Sequence, residues 1–156
     1  MIGNIMNIEK LSERIMGMDD ATWARHTNPW SGWTRMTILP LFSIAIWSRV
    51  WLGWGALLLV AGVLIWTWLN PRLFSAPEHH NAWMSRGVLG ERIWLARAQA
   101  PIPPHHVRVV QSLIVATGLG AVVLLYGLWQ LELSWVCAGL VITIGGTALS
   151  YLLWIV

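Results

Sequence analysis

Uncharged apolar runs alternate with polar stretches along this chain, and the lengths of the runs predict membrane-crossing helices. Residues 51–69 (WLGWGALLLVAGVLIWTWL), 109–129 and 133–156 contain no charged residue. Each approaches or exceeds the roughly 20 residues that a helix needs to cross hydrocarbon. A fourth run, residues 36–48, is shorter. It reaches spanning length when Trp30 to Arg35 are included and Arg35 reaches back to the interface. Pro40 predicts a kink inside it, which membrane helices tolerate when neighbours satisfy the freed carbonyl; a re-entrant segment is the alternative. The expected fold is therefore all-α, with four transmembrane helices in two hairpins. All 156 residues form one membrane domain. Residues 1–29 form an amphipathic N-terminal segment, 30–69 the first hairpin, 70–108 a loop with an interfacial helix, and 109–156 the second hairpin.

Composition supports this division. Hydrophobic residues make up 56% of the chain, above the roughly 45–50% of soluble domains, and mean hydropathy is +0.60. Thirteen tryptophans fit a chain whose helix ends meet lipid headgroups. The start (MIGNIMNIEKLSER) has acidic residues and no apolar core behind a basic cluster, unlike a secretory signal. The single cysteine, Cys137, excludes an intrachain disulfide and a cysteine-based metal site.

Charge then predicts orientation. Lys10, Arg14, Arg25 and Arg35 precede the first run, and Arg72, Arg86, Arg92, Arg97 and Arg108 lie between the second and third. Only Arg49 of the ten basic residues falls on the other side. By the positive-inside rule both termini and the 70–108 loop are cytoplasmic. The pI near 9.8 thus reflects topology determinants, and no nucleic-acid partner is expected.

The runs themselves hold hydroxyls, glycines and Cys137 but no ionisable chain of the kind found in proton relays. Any chemistry is expected at the cytoplasmic face. Two rows of small residues, Ser112–Ala116–Gly120 and Gly139–Thr143–Thr147, predict close helix packing. Residues 4–16 and 81–98 read as amphipathic helices. In the second, Trp83, Met84, Gly87, Val88, Trp94, Leu95 and Ala98 share one face, with Glu91 near its middle. A carboxylate there requires a partner. The expectation is a salt bridge to Arg25, Arg35 or Arg72, against the alternative of a working carboxylate with a perturbed pKa.

All five histidines lie on the same predicted side as this layer. His79-His80 and His105-His106 are the candidate metal ligands, but adjacent residues on a helix diverge by about 100°. The HxxxH and HxxHH boxes of di-iron fatty-acid desaturases are absent, so no metal is expected. Neither a G-x-S-x-G arrangement nor a Gly-rich phosphate loop is present.

The polar stretch RHTNPWSGWTR, residues 25–35, concentrates the remaining candidates. Asp19 or Asp20 is placed to cap a short helix through His26. Asn28-Pro29 turns the chain, Ser31 is placed to cap the first membrane helix, and Trp30 and Trp33 set its depth. His26 and the arginines exceed what anchoring requires. With MDDATWARHTNPWSGWTR, WSRVWLGW, NPRLF and SRGVLGERIWL, the chain resembles an uncharacterised family of small prokaryotic integral membrane proteins. The resemblance implies a place in the prokaryotic cytoplasmic membrane and a signature that includes His26, Asn28, Pro29, Trp30, Arg35, Asn70, Pro71, Arg72, Arg86, Glu91 and Arg92; it implies no activity.

Taken together, Arg25, His26, Asn28, Arg35, Arg72, Arg86, Glu91 and Arg92 are the candidate ligand-binding residues. Their arginines suit a phosphate or carboxylate. His26, Arg35, Arg72 and Glu91 are expected to form one connected site. Three functions are open: a binding or accessory protein for an anionic lipid-like ligand or a protein partner; a small membrane enzyme with His26 and Glu91 as acid and base; and an oligomeric transporter or channel. Membrane lipid is the expected surrounding partner, and homo-oligomerisation is compatible with each.

Overall fold

The computed structural model describes residues 15–97, 99 and 101–152. The amphipathic stretch expected at residues 4–16 falls almost wholly outside them. Among the described residues the chain is all-α, without strands. Its elements are α1 (Asp20–His26), α2 (Pro29–Met36), α3 (Ile38–Trp47), α4 (Arg49–Leu52), a 3-10 turn (Gly53–Gly55), α5 (Ala56–Leu73), α6 (Trp83–Leu95), α7 (Pro104–Gln130) and α8 (Leu133–Leu152).

Local chemistry accounts for the starts and stops. Asp19 caps α1 by accepting from the Thr22 backbone N–H at 2.7 Å. Hydrogen bonds from the Thr22 side chain and backbone hold its carboxyl below the ordinary value. Asn28, extended as a residue before proline prefers, caps α2 by accepting from the Trp30 N–H at 2.9 Å. The expected cap, Ser31, is buried inside α2 instead, and its hydroxyl is used elsewhere. The separation of α2 from α3 at Thr37 has its cause in Pro40. A helical proline cannot donate to the carbonyl four residues back and crowds it, and that carbonyl is Met36's, beside the break.

Three stretches are long and apolar enough to cross a membrane: Pro29–Leu73, Pro104–Gln130 and Leu133–Leu152. The first contains both of the first two expected spans. At 45 residues it is more than twice the roughly 20 that hydrocarbon requires. It divides at Ser48–Gly55, where Gly53 takes a left-handed φ of 51°, a region that favours glycine. Beyond this turn, α5 packs beside α3 and reaches back to α1 and α2. The ten residues of α3 alone rise only about 15 Å at 1.5 Å per residue. On its own that falls short of the roughly 30 Å hydrocarbon core.

α7 and α8 form the closest pair, and the small-residue rows are the reason. A Cβ on Gly120 would strike Thr143, one on Gly139 would strike the Leu124 backbone, and one on Gly127 would come within 2.6 Å of Val136 N. The two pairs meet where Leu39, Ile46, Trp47 and Leu140 pack around buried Leu124, Leu128 and Val136. Arg49 fastens the same end by donating to the Leu128 and Trp129 carbonyls near the C-terminus of α7, where a cation also opposes the helix dipole.

Exposed tryptophans fall into two groups. Trp51, Trp54, Trp129 and Trp135 lie at the Arg49 end, and Trp30, Trp33 and Trp68 lie towards the other. Between them α5 exposes Leu57, Leu58, Leu59, Leu64 and Ile65.

Candidate functional site

At the end opposite Arg49, α1, α2 and α5 converge on His26, which is wholly buried. Arg35 donates to its Nε2. Because a guanidinium has no acceptor, Nε2 is the unprotonated nitrogen and Nδ1 carries the hydrogen. Nδ1 then donates to Ser31 Oγ at 3.1 Å. The chain of donors continues from Ser31 Oγ to Asn70 Oδ1 at 3.0 Å and from Asn70 Nδ2 to Thr34 Oγ1 at 2.8 Å. It ends where Thr34 donates to the Trp30 carbonyl at 2.7 Å. Each member is a donor to the next, so the tautomer and every hydroxyl direction are fixed by Arg35.

Burial, and then the Arg35 guanidinium, push the His26 pKa down to about 3. The imidazole is therefore neutral near pH 7, inaccessible, and engaged at both nitrogens. Such a group orients its neighbours. Thr27 and Asn28 of the RHTNPWSGWTR stretch are also engaged. Thr27 Oγ1 donates to the Ala24 carbonyl at 2.7 Å, Asn28 Nδ2 donates to the Ser75 carbonyl at 3.0 Å, and His80 lies 3.2 Å from Thr27 Oγ1.

Arg35 also lines a cavity of about 280 Å³ with Gly32, Met36, Leu39, Glu91, Thr143, Ile144, Thr147 and Tyr151. α2, α6 and α8 supply its polar end. Close helix contacts hold the walls: a Cβ on Gly32 would overlap the Met84 side chain, and one on Gly87 would lie 2.5 Å from the Tyr151 ring. Trp83 fills the space between Trp33 and Tyr151, with ring centroids 5.5 Å and 6.1 Å away. Glu91 accepts a hydrogen bond from the Tyr151 hydroxyl at 3.3 Å.

This arrangement corrects the connected four-residue site. His26 joins Arg35, and Arg35 shares a cavity with Glu91. Among the described residues, however, Glu91 has no arginine within ion-pair distance; its partner is a phenol. Arg72 is elsewhere. Its guanidinium stacks 4.0 Å from the Trp68 ring centroid and donates to the Trp68, Met16 and Gly17 carbonyls. Gly17 has a φ of 56° there. Equal depth along the bundle did not imply equal rotation about it. A tryptophan four residues before Arg72 was the available signal.

The other candidates are dispersed. Arg25 and Arg86 are exposed. Arg92 pairs with exposed Asp20, a surface contact worth at most about 1 kcal/mol. Asn28 serves as a cap. His79, His80 and His105 are exposed, and the His105 and His106 rings pack edge to face at 4.4 Å. Among the described residues no three His, Cys, Asp or Glu side chains are grouped to hold a metal ion. Tyr151 was not singled out in the sequence, because it lies in an uncharged run. As a phenol at the same end as Glu91, its depth was the signal that could have found it.

The family of unknown function DUF6653 matches residues 7–153. The chain belongs to this family. No curated protein and no solved structure matches it. For this DUF6653 chain, the cavity is thus characterised by its own residues alone: a cation, a carboxylate, a phenol and hydroxyls at one end, and Met36, Leu39 and Ile144 as its apolar part.

Proposed function

We propose that this DUF6653 protein is a polytopic membrane protein that binds the headgroup region of an amphiphile in the Arg35–Glu91–Tyr151 cavity, at the cytoplasmic face. Four crossings in two hairpins fit the 45-residue length of the first apolar stretch and the two groups of exposed tryptophans, which match interfacial belts. The positive-inside rule supports cytoplasmic termini. The cavity then lies at the cytoplasmic interface, where an amphiphile's polar and apolar parts separate.

One observation carries this reading: the cavity unites charged groups with aliphatic walls in a single space of about 280 Å³. That is slightly below the roughly 300–1,000 Å³ of small-molecule sites, a size for a headgroup and the first part of a chain. Arginine provides planar donors suited to phosphate. Buried His26 holds Arg35 in place as a positioning residue.

Lipid analysis of the purified protein tests the proposal. Wild type is expected to retain about one phospholipid per chain after detergent exchange, and Ile144→Trp, which fills the cavity, to lose it. Equal retention by both proteins, or none by wild type, would overturn the reading.

A further inference from the structure

Arg35 and Glu91 line the same cavity, yet no ion pair of 4 Å or less joins them. Two opposite charges kept apart across one cavity present two different demands to a ligand. Glu91 uses one oxygen to accept from Tyr151. An ionised carboxylate offers about four acceptor positions, so most of its capacity remains. Arg35 uses one terminal nitrogen on His26, and a guanidinium carries five N–H donors, so it too retains donors.

A purely anionic headgroup would satisfy Arg35 and be repelled by Glu91. A purely cationic one would have the reverse difficulty. A headgroup that carries a phosphate and a primary ammonium a few bonds apart satisfies both, while its glycerol and upper acyl segments meet Leu39 and Ile144. Resting on the amphiphile-binding reading, the geometry points to a zwitterionic phospholipid of the phosphoethanolamine type as the ligand. Its phosphate lies against Arg35 and its ammonium against Glu91.

The test uses full-length protein reconstituted separately with dioleoyl phosphatidylethanolamine and dioleoyl phosphatidylglycerol, followed by native mass spectrometry of the retained lipid. These probes share their acyl chains and phosphate and differ in the ammonium. Wild type is expected to retain the ethanolamine lipid about tenfold over the glycerol lipid. Glu91→Gln, which keeps size and hydrogen bonding but removes the charge, is expected to reduce that preference to less than about twofold. Equal retention of the two lipids by wild type, or a glycerol-lipid preference, overturns the headgroup assignment while leaving amphiphile binding intact. Retention of neither lipid overturns the binding reading and this inference together. The wild-type comparison decides the matter even if Glu91→Gln does not fold.

Discussion

Tyr151 donates its hydroxyl hydrogen to Glu91 at 3.3 Å, linking α8 to α6 across 60 positions of sequence. The bond closes the cavity's polar end and fixes the loop helix against the last helix. Gly87 makes the approach possible, because its missing side chain is the space that the Tyr151 ring occupies.

Gly87→Ala should therefore lower stability by about 1–3 kcal/mol through overpacking, read as a lower unfolding temperature in detergent. Gly118→Ala is the control. A Cβ at Gly118 meets nothing within 4 Å, and alanine is the better helix former by about 1 kcal/mol, so that variant should be neutral or more stable.

Removing a member of the His26 network should be costly. His26→Ala removes the acceptor of Arg35 and the donor to Ser31, and Asn70→Ala leaves the buried Ser31 hydroxyl without its acceptor. Each unsatisfied buried group costs about 1–3 kcal/mol. Because both variants break one chain of bonds, their combined effect should fall short of the sum. Additive losses in the double variant would show that the bonds act separately.

Acid should act through the same imidazole. The folded pKa of His26 is about 3 against an ordinary 6.5. Between those values the unfolded chain binds the extra proton, so stability rises with pH there. This contribution is fully present above about pH 6.5 and is lost as pH falls towards 3. Unfolding temperature followed over that window should drop steeply for wild type and less steeply for His26→Asn.

How far the sequence revealed this arrangement depended on range. Uncharged runs located the helices, and Asp19 announced the cap of α1 through a neighbour three residues away. Ser31, expected as the cap of the first membrane helix, did not announce its use, because its partner is Asn70, 39 residues further on. Arg35 and Glu91 were legible as candidates but not as opposite sides of one cavity. Their relation depends on how α2, α6 and α8 are rotated about their axes, and a periodicity gives the face of a helix without naming what it meets. Arg72 shows the same limit from the other direction, because its stem places the guanidinium on Trp68.

Membrane topology gives a further expectation. Reporter fusions at residue 1, residue 90 and residue 156 should all report cytoplasm, and one near Arg49 should report the opposite side. An external signal at residue 90 would remove the cavity from the cytoplasmic face.

Photolabelling tests the central claim most directly. A phosphatidylethanolamine carrying a diazirine near its headgroup would be reconstituted with wild type, activated, and its adducts mapped by peptide mass spectrometry. Enrichment on peptides containing Gly32 to Leu39 and Thr143 to Tyr151, suppressed in Ile144→Trp, is the expected result. Labelling of those peptides no stronger than that of the exposed Leu57 to Ile65 stretch would contradict a headgroup site in this cavity.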